Sequence, residues 1–289
     1  MRRHALLAAA VLGVCTACGA AETAENPDAC PAAIPAGAEG VYSPSWSPEG
    51  DEIAFSTISE LYVVSLADCR LRRVRPERGD VMVDSVDWSR DGSSFAFVSG
   101  PGEGEGLWIM GADGSDPHSL VEGLVLFPAW SPDGRRIAYV EDRVDEVAAT
   151  EDRNVWVVNA DGSGRRRVTT GPWHGSVAWS PDGLWLVSDA ASALIRIRPD
   201  ASGRSVIAGG EHVDPDWSPD GATIVVQGLA LVPADGGPVR ALDVVQGGAF
   251  EPSWSPDGRL ITFTDGENEP DLWVADADGG NVRQLISSD

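Results

Sequence analysis

Apolar and polar residues alternate in short bursts along most of this chain, and the bursts recur in phase. Seven residues after a recurring Trp stand Ile53, Phe95, Ile137, Leu186, Ile224 and Ile261. Nine residues after it stand Phe55, Phe97, Tyr139, Ser188, Val226 and Phe263. Between these columns lie Ala54, Ala96, Ala138, Val187, Val225 and Thr262. Alternation with period two predicts a strand whose side chains point to opposite faces. One face is bulky and the other mostly small, and neither is polar. Both faces of each sheet are therefore expected to be covered, bulky against flat.

Each burst opens on the same turn. Trp-Ser-Pro-Asp-Gly stands intact at 130–134, 179–183, 217–221 and 254–258. Two variants precede these: Trp-Ser-Pro-Glu-Gly at 46–50 and Trp-Ser-Arg-Asp-Gly at 88–92. Pro presets φ, and Asp-Gly tolerates the positive φ that a tight turn needs. The Trp ends a first strand (a) and the alternating run is the second (b). A third strand (c) is predicted over 61–64, 107–110, 155–158, 194–197, 229–232 and 272–275. A fourth (d) follows a second turn, as at 166–169 and 282–286. Trp-to-Trp steps are 42, 42, 49, 38 and 37 residues. A period near 40 with four strands per unit is that of a propeller blade. The expected fold is all-β: a six-bladed β-propeller with four-stranded antiparallel blades over residues 41–289.

The repeats, from Trp-Ser-Pro-Asp-Gly to Ala-Asp-Gly-Gly-Asn-Val-Arg-Gln-Leu, resemble the WD-like β-propeller repeat of the TolB family. The copy at 254–285 matches best. The resemblance covers the propeller portion only, and it implies a protein working in a cell-envelope complex.

The N-terminal stretch reads differently. Met1-Arg2-Arg3 is basic and an apolar run follows to Val14. The run is short of the roughly 20 apolar residues that span a bilayer, so residues 1–18 read as a signal peptide. Cys18 behind Thr16-Ala17 is the lipobox-like candidate for lipidation, with Cys15 the alternative. The protein is expected to be exported, as a cell-membrane lipoprotein or, without the lipid, as a periplasmic or extracellular protein. Membrane contact is then through the N-terminal anchor alone. Residues 19–40 read as a tether. In an oxidising compartment Cys30 and Cys69 are candidates for a disulfide stapling that tether to the first unit. No strand is visibly shared between the chain ends, so little strand exchange is expected on ring closure.

Charge narrows the function. Asp and Glu number 45 against 21 basic residues, for a formal net charge of −24, and every Lys/Arg position is Arg. Such a surface repels phosphate backbones, which argues against nucleic acid. The absence of Lys excludes Schiff-base and P-loop chemistry.

Loops fall on two faces. The a–b and c–d turns are uniform; the b–c and d–a loops vary, and variable loops on a rigid scaffold are where binding sits. Three b–c loops are acidic, the longest spanning 141–154. In the d–a loops, His174 and His212 each lie five residues before a motif Trp, with Trp173, Glu211, Asp214 and Glu251 close by and Asp84 and Asp87 across the ring. Trp173, His174, Glu211, His212, Asp214 and Glu251 are the ligand-binding candidates. His174 and His212 are also the candidate ligands should a divalent metal bind. No catalytic constellation is evident. The sequence thus points to a monomeric, cofactor-free binding module for an envelope protein or glycan. The alternative is a divalent-metal-dependent propeller enzyme of lyase or lactonase type with its site at the channel mouth.

Overall fold

The computed structural model describes residues 32–35, 38–79, 81–100, 104–145, 150–171, 173–210, 212–242, 244, 248–266 and 269–288, with backbone only for 143–145 and 150–151. Six antiparallel sheets of four consecutive strands are arranged as a six-bladed β-propeller. Blade one is representative: strand a is Tyr42–Trp46, b Glu52–Ser56, c Leu61–Ser65 and d Leu71–Val74. The a strands pack one against the next in a closed ring around the axis, blade one meeting both two and six.

The expected bulky-on-flat packing is what joins the blades. Six apolar clusters fill the blade junctions, each drawing on two neighbouring blades. At the first junction Trp88, Phe95 and Phe97 of blade two meet Ala54, Leu61 and Val63 of blade one. Motif Trp46, Trp88, Trp130, Trp179 and Trp217 are buried. The Trp46 indole donates to the Ser253 carbonyl of blade six (3.1 Å), and Trp179 likewise to Ala129 of blade three (3.0 Å).

The motif turn is also an inter-blade device. Within it, Ser131 Oγ donates to Asp133 Oδ1 (2.6 Å) and accepts the Arg136 amide (2.9 Å); blades four to six repeat this. Between blades, the Pro ring lies over the turn glycine of the next blade. A Cβ built on Gly50, Gly92, Gly183, Gly221 or Gly258 would sit 3.1–3.9 Å from Pro256, Pro48, Pro132, Pro181 or Pro219 respectively. Those glycines have φ of +69° to +75°, so they meet both a conformational and a spatial demand. Gly134 has no such neighbour, because blade two carries Arg90 in place of Pro.

Two expectations are corrected. First, against the little strand exchange expected on ring closure, residues just before blade one join the ring. Ala32–Ala33 adds a parallel fifth strand to the outer edge of blade six, with Ala32 opposite Ile286 and Ala33 opposite Ser287. Ile34 is buried and the Val41 amide donates to Pro270 O (2.8 Å). The strand satisfies the exposed edge of blade six, a demand that two alanines do not advertise in sequence. Second, 141–145 and 150–154 of the expected loop are strand. Strands b (Arg136–Asp145) and c (Thr150–Asn159) of blade three continue as a paired hairpin arm to Asp145 opposite Thr150. Its acids are neutralised where they are described: Asp142 accepts from Arg153 Nε (2.6 Å), Glu141 pairs with Arg165, and Asp152 with Arg167 (2.9 Å).

Trp217 packs in the junction of blades four and five with Val187 and Leu194. Trp217→Ala should therefore cost about 3–5 kcal/mol of unfolding free energy in chemical denaturation; an unaltered midpoint would refute the packing role.

Candidate functional site in the central channel

The a strands converge on a cavity of about 200 Å³ along the axis, lined by the residues at and just before each motif Trp. Two tiers of polar side chains cross it from blade to blade. The residue immediately before the Trp supplies the first. Ser45 Oγ accepts the Trp88 amide (3.0 Å) and donates to Asp87 Oδ1 (2.9 Å); Asp87 Oδ2 accepts the Trp130 amide (2.6 Å). Across the ring, Asp216 accepts the Trp217 amide on Oδ1 (2.9 Å) and the Trp254 amide on Oδ2 (2.7 Å). These carboxylates tie three blades on one side and two on the other.

The second tier lies three residues before the Trp, nearer the mouth. Strand a is bulged here in blades one, three, four and six. Ser43, Asp214 and Glu251 take positive φ of 49–52°. For non-glycine residues this is strained backbone, which persists only where the surroundings fix it. What fixes it is again the neighbouring blade. Asp214 accepts the Glu251 amide, Glu251 Oε2 accepts the Ser43 amide (2.8 Å), and Ser43 Oγ donates to Ser85 Oγ (3.2 Å). Ser176 of blade four bonds to Asp189 Oδ1 through both its amide (2.6 Å) and its hydroxyl (3.0 Å).

Crowding acids among packed blades makes them hard to ionise. Burial, reinforced by Asp214 and Asp84, pushes Glu251 up to about 7. Burial, then the Asp189 charge, raises Asp214 to about 6. Asp216 also rises to about 6 by burial, opposed by the Trp254 amide and by Arg90. Burial likewise raises Asp87 and Asp189. Among the described residues Arg90 is the only basic residue lining this cavity. The arrangement is a pre-aligned set of acidic acceptors, a field at which positive charge is easier to place than negative.

The sequence candidates divide. Asp214 and Glu251 belong to the channel. Trp173 and His212 line a separate cavity with Asp189, and Glu211 lies outside the described residues. His174 lines neither: it is buried at the start of strand a (His174–Trp179), its Nδ1 3.1 Å from Ser188 Oγ. Ser188 is where other blades carry Phe, Tyr or Val, so the imidazole packs beside the one polar member of that column. Burial holds its pKa down to about 4, keeping it neutral. The equal spacing of the two histidines thus does not put them in equal surroundings. Among the described residues no group of three or more His, Cys, Asp or Glu is placed to hold a metal ion. Cys69 is disulfide-bonded, while Cys15, Cys18 and Cys30 lie outside the described residues. Sequence reasoning passed over Asp216 and Asp189. Asp216 had a signal, since it stands directly before the motif Trp as Asp87 does.

No protein-family model matches the chain. The Tol-Pal system protein TolB of Thioalkalivibrio sulfidiphilus is 30% identical over 119 residues, covering 38% of this chain and 26% of that protein. The crystal structure of TolB from Acinetobacter baumannii superposes with a TM-score of 0.63 at 16% identity, over 86% of this chain and 67% of that one. The chain is a six-bladed β-propeller of the TolB type. The fold alone is shared more widely: an oligogalacturonate lyase in complex with manganese gives a TM-score of 0.61 at 14% identity, over 87% of this chain and 78% of that one. Matches to the curated relatives span only 16–59% of their lengths.

The raised acids give this TolB-type propeller a pH signature. Glu251 holds its proton more tightly folded than unfolded, so its contribution is complete below its ordinary value of 4.5 and is lost as pH rises through about 7. His174 acts in the opposite sense, its contribution being complete above 6.5 and lost as pH falls toward 4. Between pH 6.5 and 8 only the carboxylate effect remains. Thermal melting should fall by several degrees over that window, and Glu251→Gln should flatten the fall. A wild-type profile that is level or rising there would contradict the channel electrostatics.

Proposed function

We propose that the protein is an exported, lipid-anchored, non-catalytic binding module of the bacterial cell envelope, whose channel mouth receives a cationic segment of an envelope protein. The observation that carries this reading is the mouth tier. Asp214 and Glu251 are held in strained backbone, each anchored by or to the amide of an adjacent blade, and aimed at the axis. Fixed acceptors of one sign suit the docking of a basic group. Their hydrogen bonds to the scaffold argue for a structural and recognition role over proton shuttling. Likeness to TolB of the Tol-Pal system supports an envelope setting. Lipidation of Cys18 supplies the anchor, and a Cys30–Cys69 bridge the staple.

The enzymatic reading, a divalent-metal-dependent lyase or lactonase, draws on the fold shared with the manganese-bound lyase. Metal titration by calorimetry tests it, and turnover of oligogalacturonate or a lactone with Mn²⁺ would overturn the non-catalytic proposal. For the binding reading, immobilised propeller is incubated with envelope extract at low salt. Wild type should retain a basic partner that an Asp214→Asn/Glu251→Gln variant retains at least tenfold less. Equal retention by both would sink it. Separately, Cys18→Ser should release the protein from the membrane fraction; continued sedimentation with membranes would exclude Cys18 as the anchor.

A further inference from the structure

The six residues that stand three before each motif Trp form the mouth tier, and they are not alike. Ser43, Ser85, Phe127, Ser176, Asp214 and Glu251 all line the cavity, one from each blade. Three blades offer a serine, two an acid, and blade three an aromatic ring. Blade three stands across the ring from blade six, so Phe127 lies on the wall opposite Glu251.

Packing of the blades does not account for Phe127. It is half-buried and joins none of the six apolar clusters at the blade junctions, whereas Leu126 and Ala129 beside it pack against one. Its φ is +51°, an outlier for so bulky a residue. The same conformation recurs at Ser43, Asp214 and Glu251, and each of the four is followed by a proline, Pro44, Pro128, Pro215 or Pro252. A following proline narrows the conformations open to a residue, so this device presents its side chain in a fixed direction. Two of its four copies hold the acids of the mouth and a third holds the ring. Backbone strain at an aromatic that takes no part in the core marks a binding contact.

The apolar character continues outward from blade three. Met82 and Leu124 each stand six residues before a motif Trp, in the loops that enter blades two and three, and both are exposed. Ile58, in the b–c loop of blade one, is exposed too. The Val83 amide donates to the Ser59 carbonyl (3.2 Å), which sets the Ile58 and Met82 loops side by side. The other exposed large hydrophobic residues among those described lie elsewhere: Leu184 in an a–b turn, Val206 and Val239 on or next to a strand d. The acids of the tier are on blades five and six, and Asp84 in the blade-two loop adds to the field at Glu251. The mouth is thus divided, apolar around blade three and acidic toward blades five and six.

At about 200 Å³ the cavity is smaller than the roughly 300–1,000 Å³ of small-molecule pockets, so it suits single side chains let down from a chain lying over the mouth. Successive side chains of an extended chain point to opposite sides. A basic residue next to a large apolar one therefore addresses both walls at once. We propose that the channel mouth selects a segment in which basic and large apolar residues alternate, the basic side chains going to Asp214 and Glu251 and the apolar ones to Phe127, Leu124 and Met82. This rests on the reading of the mouth as a receptor for a cationic segment, and adds Phe127 as the residue that sets its specificity.

The test is fluorescence-anisotropy titration of the full chain, at low salt and pH 8, with two labelled, amidated heptapeptides: Gly followed by three Arg-Leu pairs, and Gly followed by three Arg-Ser pairs. Burying part of one leucine is worth about tenfold in affinity, so the Arg-Leu peptide should bind about tenfold more tightly than the Arg-Ser peptide. Phe127→Ser, which installs the residue of three other blades, should abolish that preference. The paired variant Met82→Ser/Leu124→Ser should narrow it several-fold, a readout that stands whether or not Phe127→Ser folds. Leu184→Ser, on the opposite face, should preserve it. Equal binding of the two peptides by wild type, or a preference undiminished in either folded variant, would overturn the apolar assignment and leave the acidic mouth standing. Failure of wild type to bind either peptide, or binding that Asp214→Asn/Glu251→Gln does not weaken, would overturn the cationic reading with it.

Discussion

Everything in this molecule depends on one blade lying flat against the next. A four-stranded sheet of about 40 residues cannot cover its own two faces. The chain solves this with an asymmetric pair of surfaces, Trp and large aliphatic or aromatic residues on one and Ala, Val or Thr on the other. Because that contact repeats around a closed ring, no blade stands without neighbours. Ring closure then leaves the axis as the place where polar backbone must be satisfied. Asp87, Asp216, Asp214 and Glu251 meet that need by accepting amides from adjacent strands. The acidic channel is thus first a consequence of the architecture, and the affinity for cations proposed for it follows from that.

Fold was legible because it is written six times. Blade count, strand order and the bulky and flat faces all follow from columns that a reader can align by eye. What was not legible comes from places where the chain departs from its own repeat. The strand at Ala32–Ala33 carries no pattern, since two residues cannot show alternation. The hairpin arm of blade three looked like a loop because its charges hid strands whose ion pairs form only across them, as with Asp142 and Arg153.

The candidate site was half legible. Asp214 and Glu251 were found by register and do face the axis. His174 and His212 share a register of their own, five residues before the Trp, but the bulged strand of blade four holds His174 in the sheet beside Ser188. Register predicts position along a strand; it does not report a bulge, which shifts the inward direction by one residue. Asp189 escaped notice because it ends a run, Leu186-Val187-Ser188, that reads as core. Its partner Ser176 is distant in sequence and becomes a neighbour only when strands a and b pair.

The substitution of Arg90 for proline has a consequence for anything that enters along the axis. A ring of equal blades would present the same lining at every sixty-degree step, and a guest could lodge in any of those orientations with equal energy. Five junctions are alike in their proline-on-glycine seat; the sixth lacks it and sets a guanidinium opposite Asp87 and Asp216. That departure, added to the uneven placement of Asp87, Asp214, Asp216 and Glu251, gives the channel a compass bearing. A guest carrying charge of both signs would be turned to one azimuth, and the fold's symmetry would no longer blur its recognition.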